Sequence, residues 1–529
     1  MTNEAIFIVL FMIATAVAIG VRRLRIPYTV ALVLAGLILG LVHAFRPPHL
    51  TKELLFTVFL PGLLFEAAFH IDFQEFWRNK MAIISLAVPG VIAAMSLTTL
   101  ILTPVANSLD FISIFSWHYA LVFGALIAAT DPIAVVAMFK SLGAPRRLRI
   151  LVDGESLLND GTGIVFFTLS LSLVSGGKVS APGLFLDFIL IVGIGILVGA
   201  GIGLAVSQII RHVDDPMIEI TLTTIAAYGA FMVAEQLHYS GVIATVTAGL
   251  FAGNYAARTG MSPSTRIAVE TFWEYMAFAL NSIVFLLIGF EAKIPHLLAS
   301  WKIVIVAFLA VTIGRGIVIL GMSGILRRTR EHIPWPWSAV MTWGGLRGAL
   351  PMVLVLSLPD NFAHRDLLVS MTFGVVIISI LLNGLTISPL LRKLGIVKSQ
   401  RTREEYEMIR GKLQAQNAAL EFLDNMSAAR LKNTDIINTL RQDYEEKIEK
   451  NESRISEMHI NQEQLHDEEL EWARRQLLLA EKNEVLEAFH RGVLSQEIYD
   501  RLLADIDARL LELDTSRDTE RNSDEEDKK

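Results

Sequence analysis

Apolar stretches long enough to cross a bilayer follow one another along the first four hundred residues, and this limits the fold more than any other feature. A hydrocarbon core about 30 Å thick takes about 20 apolar residues as a helix. With no water inside that core, only helices and closed barrels satisfy their own backbone. Thirteen such stretches can be drawn: 4–21, 27–45, 52–70, 81–104, 118–140, 147–173, 184–209, 217–237, 240–255, 271–291, 301–325, 337–359 and 367–391. The stretch at 240–255 is the shortest. Charge changes sharply after the last one. Residues 1–400 hold 26 Lys and Arg and 21 Asp and Glu, whereas residues 401–529 hold 20 and 32. With no cysteine anywhere, this excludes a single soluble globule, a disulfide scaffold and a basic nucleic-acid binder. The expectation is an all-α polytopic membrane protein. A membrane domain covers 1–397, a cytoplasmic helical tail 398–514, and a disordered acidic end 515–529.

Loop charge orients the domain. With the N-terminus outside, inner loops carry 20 Lys and Arg and outer loops 6. Basic loops stay on the cytoplasmic side, so the tail is expected in the cytoplasm and the chain in the plasma membrane. The first span has no basic residue before it and Arg22, Arg23 and Arg25 after it, the pattern of a retained anchor rather than a cleaved signal. Only Arg315 and Arg347 then remain inside spans. Charge at that depth is costly, so each needs a partner or a wet cavity.

Two acidic segments carry the chemistry. Thr130-Asp131-Pro132 interrupts the fifth span. Pro132 removes a backbone donor and disfavours helix at Asp131, and a broken helix frees carbonyls that can bind a cation. The bland reading is a proline kink with a capping Asp. The second segment, Glu155-Ser156-Leu157-Leu158-Asn159-Asp160, lies in the sixth span. At 100° per residue, Glu155, Ser156, Asn159 and Asp160 share one side of the helix and both leucines point away. A helix start at the membrane edge would explain Asp153 but not Asp160, which lies about 20 Å beyond the start of the span. Oxygen ligands without Cys or clustered His suit a hard cation. Two neighbouring carboxyls in a low dielectric can trade a proton for a monovalent ion.

Arg315 needs an anion. Glu155 is the expected partner, with Asp160 the alternative. Arg347 lies among Gly344, Gly345, Gly348 and Pro351, which suggests a second discontinuous helix in span twelve. Its alternative is to snorkel to the cytoplasmic surface.

In order and spacing these motifs, with Phe285-Leu286-Leu287-Ile288-Gly289, resemble the monovalent cation/proton antiporters, in particular the NhaP and sodium–proton exchanger branch, over about residues 5–395. The resemblance implies about thirteen helices in two inverted six-helix repeats, discontinuous helices crossing at spans five and twelve, and a homodimer. It implies a secondary transporter, not an enzyme, with no cofactor. Sodium, with lithium the next candidate, is exchanged for a proton by alternating access. Asp160 resembles the alternating carboxylate. Asp131, the Thr130 carbonyl and Ser156 resemble the other ion ligands, and Glu155 and Arg315 the buried pair. Asn159 stands where the electrogenic branch has Asp, which implies one proton per cation and electroneutral exchange. Potassium in place of sodium would keep the same mechanism. A gated cation channel or sensor is the competing class, and it usually requires symmetry about a pore.

Weaker signals are Glu66, Glu235, His238, Glu274, Asn281 and the span-end histidines His43, His49 and His70. Core or interfacial roles explain them as well as the ion path does. Gly36, Gly40, Gly193, Gly195 and Gly199 read as helix-packing glycines. The tail suggests helices at 402–431, 434–458, 463–490 and 495–514, with Ser495 a good N-cap. Nothing in it identifies a ligand or regulator.

Overall fold

The computed structural model describes residues 3–397 apart from 25–26, 43–53, 109–114, 175–180, 258–259, 293 and 360. Beyond these it describes the helix 434–457 and scattered residues of 408–510. His43, His49 and the acidic end lie outside the described residues, as do much of 402–431 and most of 463–490. The chain divides into two compact units, Met1–Val397 and Lys398–Lys529.

The first unit is helical, with no strand among the described residues. Among the described residues seven helices are long and apolar enough to cross a membrane, and there are shorter apolar helices besides. In chain order the longer helices are α1 (Asn3–Leu24), α2 (Tyr28–Val42), α3 (Phe56–Phe69), α4 (Lys80–Ser108), α5 (Trp117–Leu126), α6 (Ile133–Leu142), α7 (Arg146–Val174) and α8 (Ala181–Ile210). There follow α9 (Pro216–Gln236), α10 (Gly241–Ala256), α11 (Pro263–Glu291), α12 (Trp301–Leu326), α13 (Trp335–Trp343), α14 (Ala349–Leu356) and α15 (Arg365–Lys393). The apolar stretches at 118–140 and 337–359 each divide in two, as α5 with α6 and α13 with α14. In the second unit α16 (Thr434–Glu457) is the longest described helix. Within that unit Phe489 stacks on Tyr499, and Arg509 reaches Glu481 at 2.9 Å.

Small residues decide how closely these helices approach. Lipid tails are as apolar as leucine, so association depends on packing and on close backbone approach. α2 and α11 cross at Gly36 and Gly289: a Cβ on Gly36 would meet the Leu286 carbonyl, and one on Gly289 the Val33 carbonyl. The short α10 is buried on every side over residues 241–249. Its small residues let Gly199 of α8 lie against the Ala244 carbonyl, and its own Gly249 and Gly253 lie against the Phe65 and Phe69 carbonyls of α3. Gly193, by contrast, faces open space. Pro89 opens a wide π-helical turn over Leu86–Gly90 in α4, and the Ala87 carbonyl accepts the Thr162 hydroxyl of α7 at 2.8 Å. A wide turn of this kind is often found beside a functional site.

Gly36→Leu is expected to destabilise by about 1–3 kcal/mol or more, since backbone cannot yield as a flexible side chain can. Gly321→Leu, with nothing within 4 Å of its Cβ position, is expected to be neutral. Thermal midpoints of the two purified variants in detergent check this.

Candidate functional site

The site is built where α5 and α13 stop. α5 ends at Leu126 and α6 begins only at Ile133. Pro132 precedes α6, and Asp131 Oδ1 accepts the amide of Ile133 at 3.0 Å. The carboxyl thus caps a half-helix whose N-terminal end favours negative charge. α13 ends at Trp343 and α14 begins at Ala349. The two interruptions meet: the amide of Asp131 donates to the Leu346 carbonyl at 2.8 Å. A Cβ on Gly348 would strike the Asp131 carboxyl, so Asp131 stands beside the start of α14 as well as α6.

Both buried arginines answer the opposite, carbonyl-rich ends. Arg347 Nη1 donates to the Ala128 and Ala129 carbonyls at 3.0 and 3.2 Å, just past the end of α5. Arg315 Nε and Nη2 both donate to the Met341 carbonyl at 3.2 Å, in the last turn of α13. A guanidinium suits the C-terminal end of a helix by charge and by hydrogen bonding. Arg347 is 5 % exposed and turned inward, which overturns the snorkelling alternative: the two carbonyls past the end of α5 hold it inside the domain. Its own amide donates to Ser379 Oγ at 3.1 Å, on a π-helical turn of α15.

α7 brings the acidic face alongside. Arg315 grips Glu155 with two nitrogens, Nη1 to Oε1 at 2.8 Å and Nη2 to Oε2 at 3.0 Å. Asn159 Nδ2 donates to Glu155 Oε1 at 3.0 Å. Such a bidentate pair is strong and directional. The Ser156 hydroxyl donates to the Thr130 carbonyl, which ties α7 to the interrupted stretch of chain at Asp131. Asp160 is half-buried one residue beyond Asn159, and it lies four residues from Ser156 on the same face of α7. Leu157 points away and packs with Leu64, Phe231 and Val242. A cavity of about 20 Å³ lies between Glu155, Asn159, Arg315 and Arg347, room for one water. Asn159 Oδ1 is buried and accepts nothing from the described residues; a water there would satisfy it.

The weaker candidates make other contacts. Glu66 pairs with His70 at 3.2 Å, and Asp153 is half-buried in the second turn of α7. Glu235 accepts the amide of Gly241 at 3.3 Å, and His238 takes a left-handed backbone (φ 63°) in the same loop. Glu274 is exposed and Asn281 buried. Four participants were not singled out from sequence: Met341, Ala128, Ala129 and Ser379. Three act through carbonyls, which leave no residue-specific trace. Ser379 had a faint signal, as a hydroxyl between isoleucines.

The chain matches the family described as the transmembrane sodium/hydrogen exchanger over residues 7–393. It is 38 % identical over 421 residues to the Na(+)/H(+) antiporter ApNhaP of Aphanothece halophytica, which spans 78 % of each chain. It is 32 % identical over 504 residues to the Na(+)/H(+) antiporter NhaG of Bacillus atrophaeus, covering 92 % of this chain and 93 % of the relative. Its fold resembles the sodium proton antiporter MjNhaP1 of Methanocaldococcus jannaschii, with a TM-score of 0.61, 20 % identity, and coverage of 74 % of this chain and 99 % of that one.

Arg315→Ala leaves Glu155 buried without its cation, a change that costs about 3–5 kcal/mol. A sharp fall in folded yield and thermal midpoint is expected, with partial recovery in the Arg315→Ala, Glu155→Ala double variant. Size-exclusion profiles of the three proteins report the outcome, and a double variant no better than the single would break the assignment.

Proposed function

The chain belongs to the transmembrane sodium/hydrogen exchanger family, and from that premise we propose that it is a secondary antiporter exchanging sodium for protons by alternating access. One observation carries the residue assignment: the Asp131 carboxyl stands where both interrupted helices resume, α7 is tied to that stretch through Ser156 with Asp160 one turn further on, and Glu155, the fully buried acid there, is taken up by Arg315. The proton and the cation compete for Asp160 and Asp131. The Thr130 carbonyl and the Ser156 hydroxyl supply further oxygens, releasing their mutual hydrogen bond to do so. Pro132 holds the break open, and Arg347 neutralises the carbonyls of α5. An uncharged amide at Asn159 leaves one exchangeable proton for each cation, so the exchange is electroneutral. Lithium is the next substrate.

The remaining architecture follows the same reading. Thirteen spans form two inverted six-helix repeats with crossed discontinuous helices, in a homodimer. The N-terminus lies outside the plasma membrane. The unit from residue 398 onward is a cytoplasmic regulatory tail.

The test uses proteoliposomes with a pH-sensitive dye inside, challenged with Na⁺, Li⁺ and K⁺ in turn. Sodium is expected to move protons whether or not the voltage is clamped. Asp160→Asn is expected to abolish the signal while eluting as a folded protein, and normal transport by that variant would sink the assignment. A response to potassium alone would change the substrate and keep the site. A sustained current under a sodium gradient would contradict electroneutrality. Competition between one proton and one cation further requires the half-saturating sodium concentration to rise about ten-fold per pH unit at the acidic end. A value independent of pH would rule out a shared site.

A further inference from the structure

Next to Arg315 and the α13 break, at Gly316 and Trp343, lies an apolar groove of about 530 Å³. It is lined by Gly316 of α12, by Trp335, Ala339 and Trp343 of α13, and by Leu390 and Lys393 of α15. Its volume is that of a ligand site. Trp335 and Lys393, at the start of α13 and the end of α15, mark its mouth. Trp343, eight residues along α13, marks its floor at a depth of about 12 Å. There the indole nitrogen donates to Thr386 Oγ1 at 2.7 Å and closes the wall.

Charge gathers at the mouth. Arg392 and Lys393 are exposed, and Arg327, Arg328 and Arg330 are exposed in the loop joining α12 to α13 at that same end. The acid of that loop, Glu331, is turned elsewhere: its Oε2 accepts the amide of Ala82 at 2.8 Å. An apolar channel that opens under a cluster of cations, with an indole at its rim, matches a molecule with a hydrocarbon tail and an anionic head.

We propose that this groove binds an anionic phospholipid, one acyl chain lying along Trp335 to Trp343 and the phosphate resting on Lys393. Gly316 follows Arg315 directly, and Trp343 is the last residue of α13 before the break. The bound chain therefore backs the helix that carries Arg315 and the last turn before the site. The inference depends on membrane embedding alone and stands whatever ion is carried.

The test uses the full chain in phosphatidylcholine vesicles doped with a small, equal fraction of brominated phosphatidylglycerol or brominated phosphatidylcholine. Bromine on the acyl chain quenches a neighbouring indole. The difference between the wild type and Trp335→Phe isolates the signal of Trp335 among the eight tryptophans. Brominated phosphatidylglycerol is expected to be preferred about five-fold, the effect of one cation near an anionic head. Lys393→Gln is expected to lower the preference several-fold, and Ala339→Phe, which fills the groove, to remove quenching by both lipids. Since Lys393 is exposed, its variant folds even where the filled groove does not. Equal quenching by the two lipids in the wild type would reduce the groove to bulk solvation and overturn the proposal. A preference unchanged by Lys393→Gln would also overturn it. Quenching of Trp335 by neither lipid would mean that protein, either the tail or a second copy, covers the groove, and the proposal would fall.

Discussion

Carbonyls left without amides where two helices stop at bilayer depth are the problem around which this domain is arranged. An unpaired backbone acceptor in hydrocarbon costs several kcal/mol. Here each carbonyl-rich end meets a guanidinium: Arg347 at Ala128 and Ala129, Arg315 at Met341. The solution brings two positive charges into a place that disfavours any. Arg315 is matched at once by Glu155. For Arg347 the acids that remain in the same region are Asp131 and Asp160. The breaks thus call for the arginines, and Arg315 in turn holds Glu155.

The opposite ends of the breaks work in the other sense. Asp131 sits at the start of α6 and against Gly348 at the start of α14, where helix dipoles favour a negative charge. Its amide is held by Leu346, so the carboxyl is positioned by backbone from both interrupted helices. The Ser156 hydroxyl on the Thr130 carbonyl then fixes α7 to the same strand of chain. A cation arriving there would find oxygens already gathered, and it would have to replace a hydrogen bond rather than build a site.

Much of this was legible in sequence, for identifiable reasons. Apolar length is a local property, so the spans could be drawn without knowing their neighbours. Even the short α10 could be placed, although what makes it tenable is burial against Gly199 and against the carbonyls of α3. The acidic face of α7 followed from helical period alone, and Arg315 could be matched to Glu155 because few buried anions were available. The acceptors of the arginines were not legible, because a carbonyl looks the same on every residue. The glycines near Arg347 were read as helix breakers. Two of them also keep space: a Cβ on Gly345 would collide with the Arg315 guanidinium, and one on Gly348 with Asp131. Helix propensity alone cannot distinguish a glycine that bends the chain from one that makes room for a neighbour.

Asn159 shows how far structure and stoichiometry are joined here. On sequence it mattered as an absent charge. In the fold its Nδ2 also donates to Glu155 Oε1, completing the set of donors around a carboxylate that Arg315 already holds on two sides. An aspartate in its place could not donate when ionised, and it would set a second negative charge beside Glu155. The ion pair would lose a donor and gain a competitor for the same guanidinium. A change of that one residue toward a second titrating acid must therefore be accompanied by a rebuilt Glu155–Arg315 pair. The proposed one-for-one exchange and the rigidity of the broken-helix scaffold rest on the same amide.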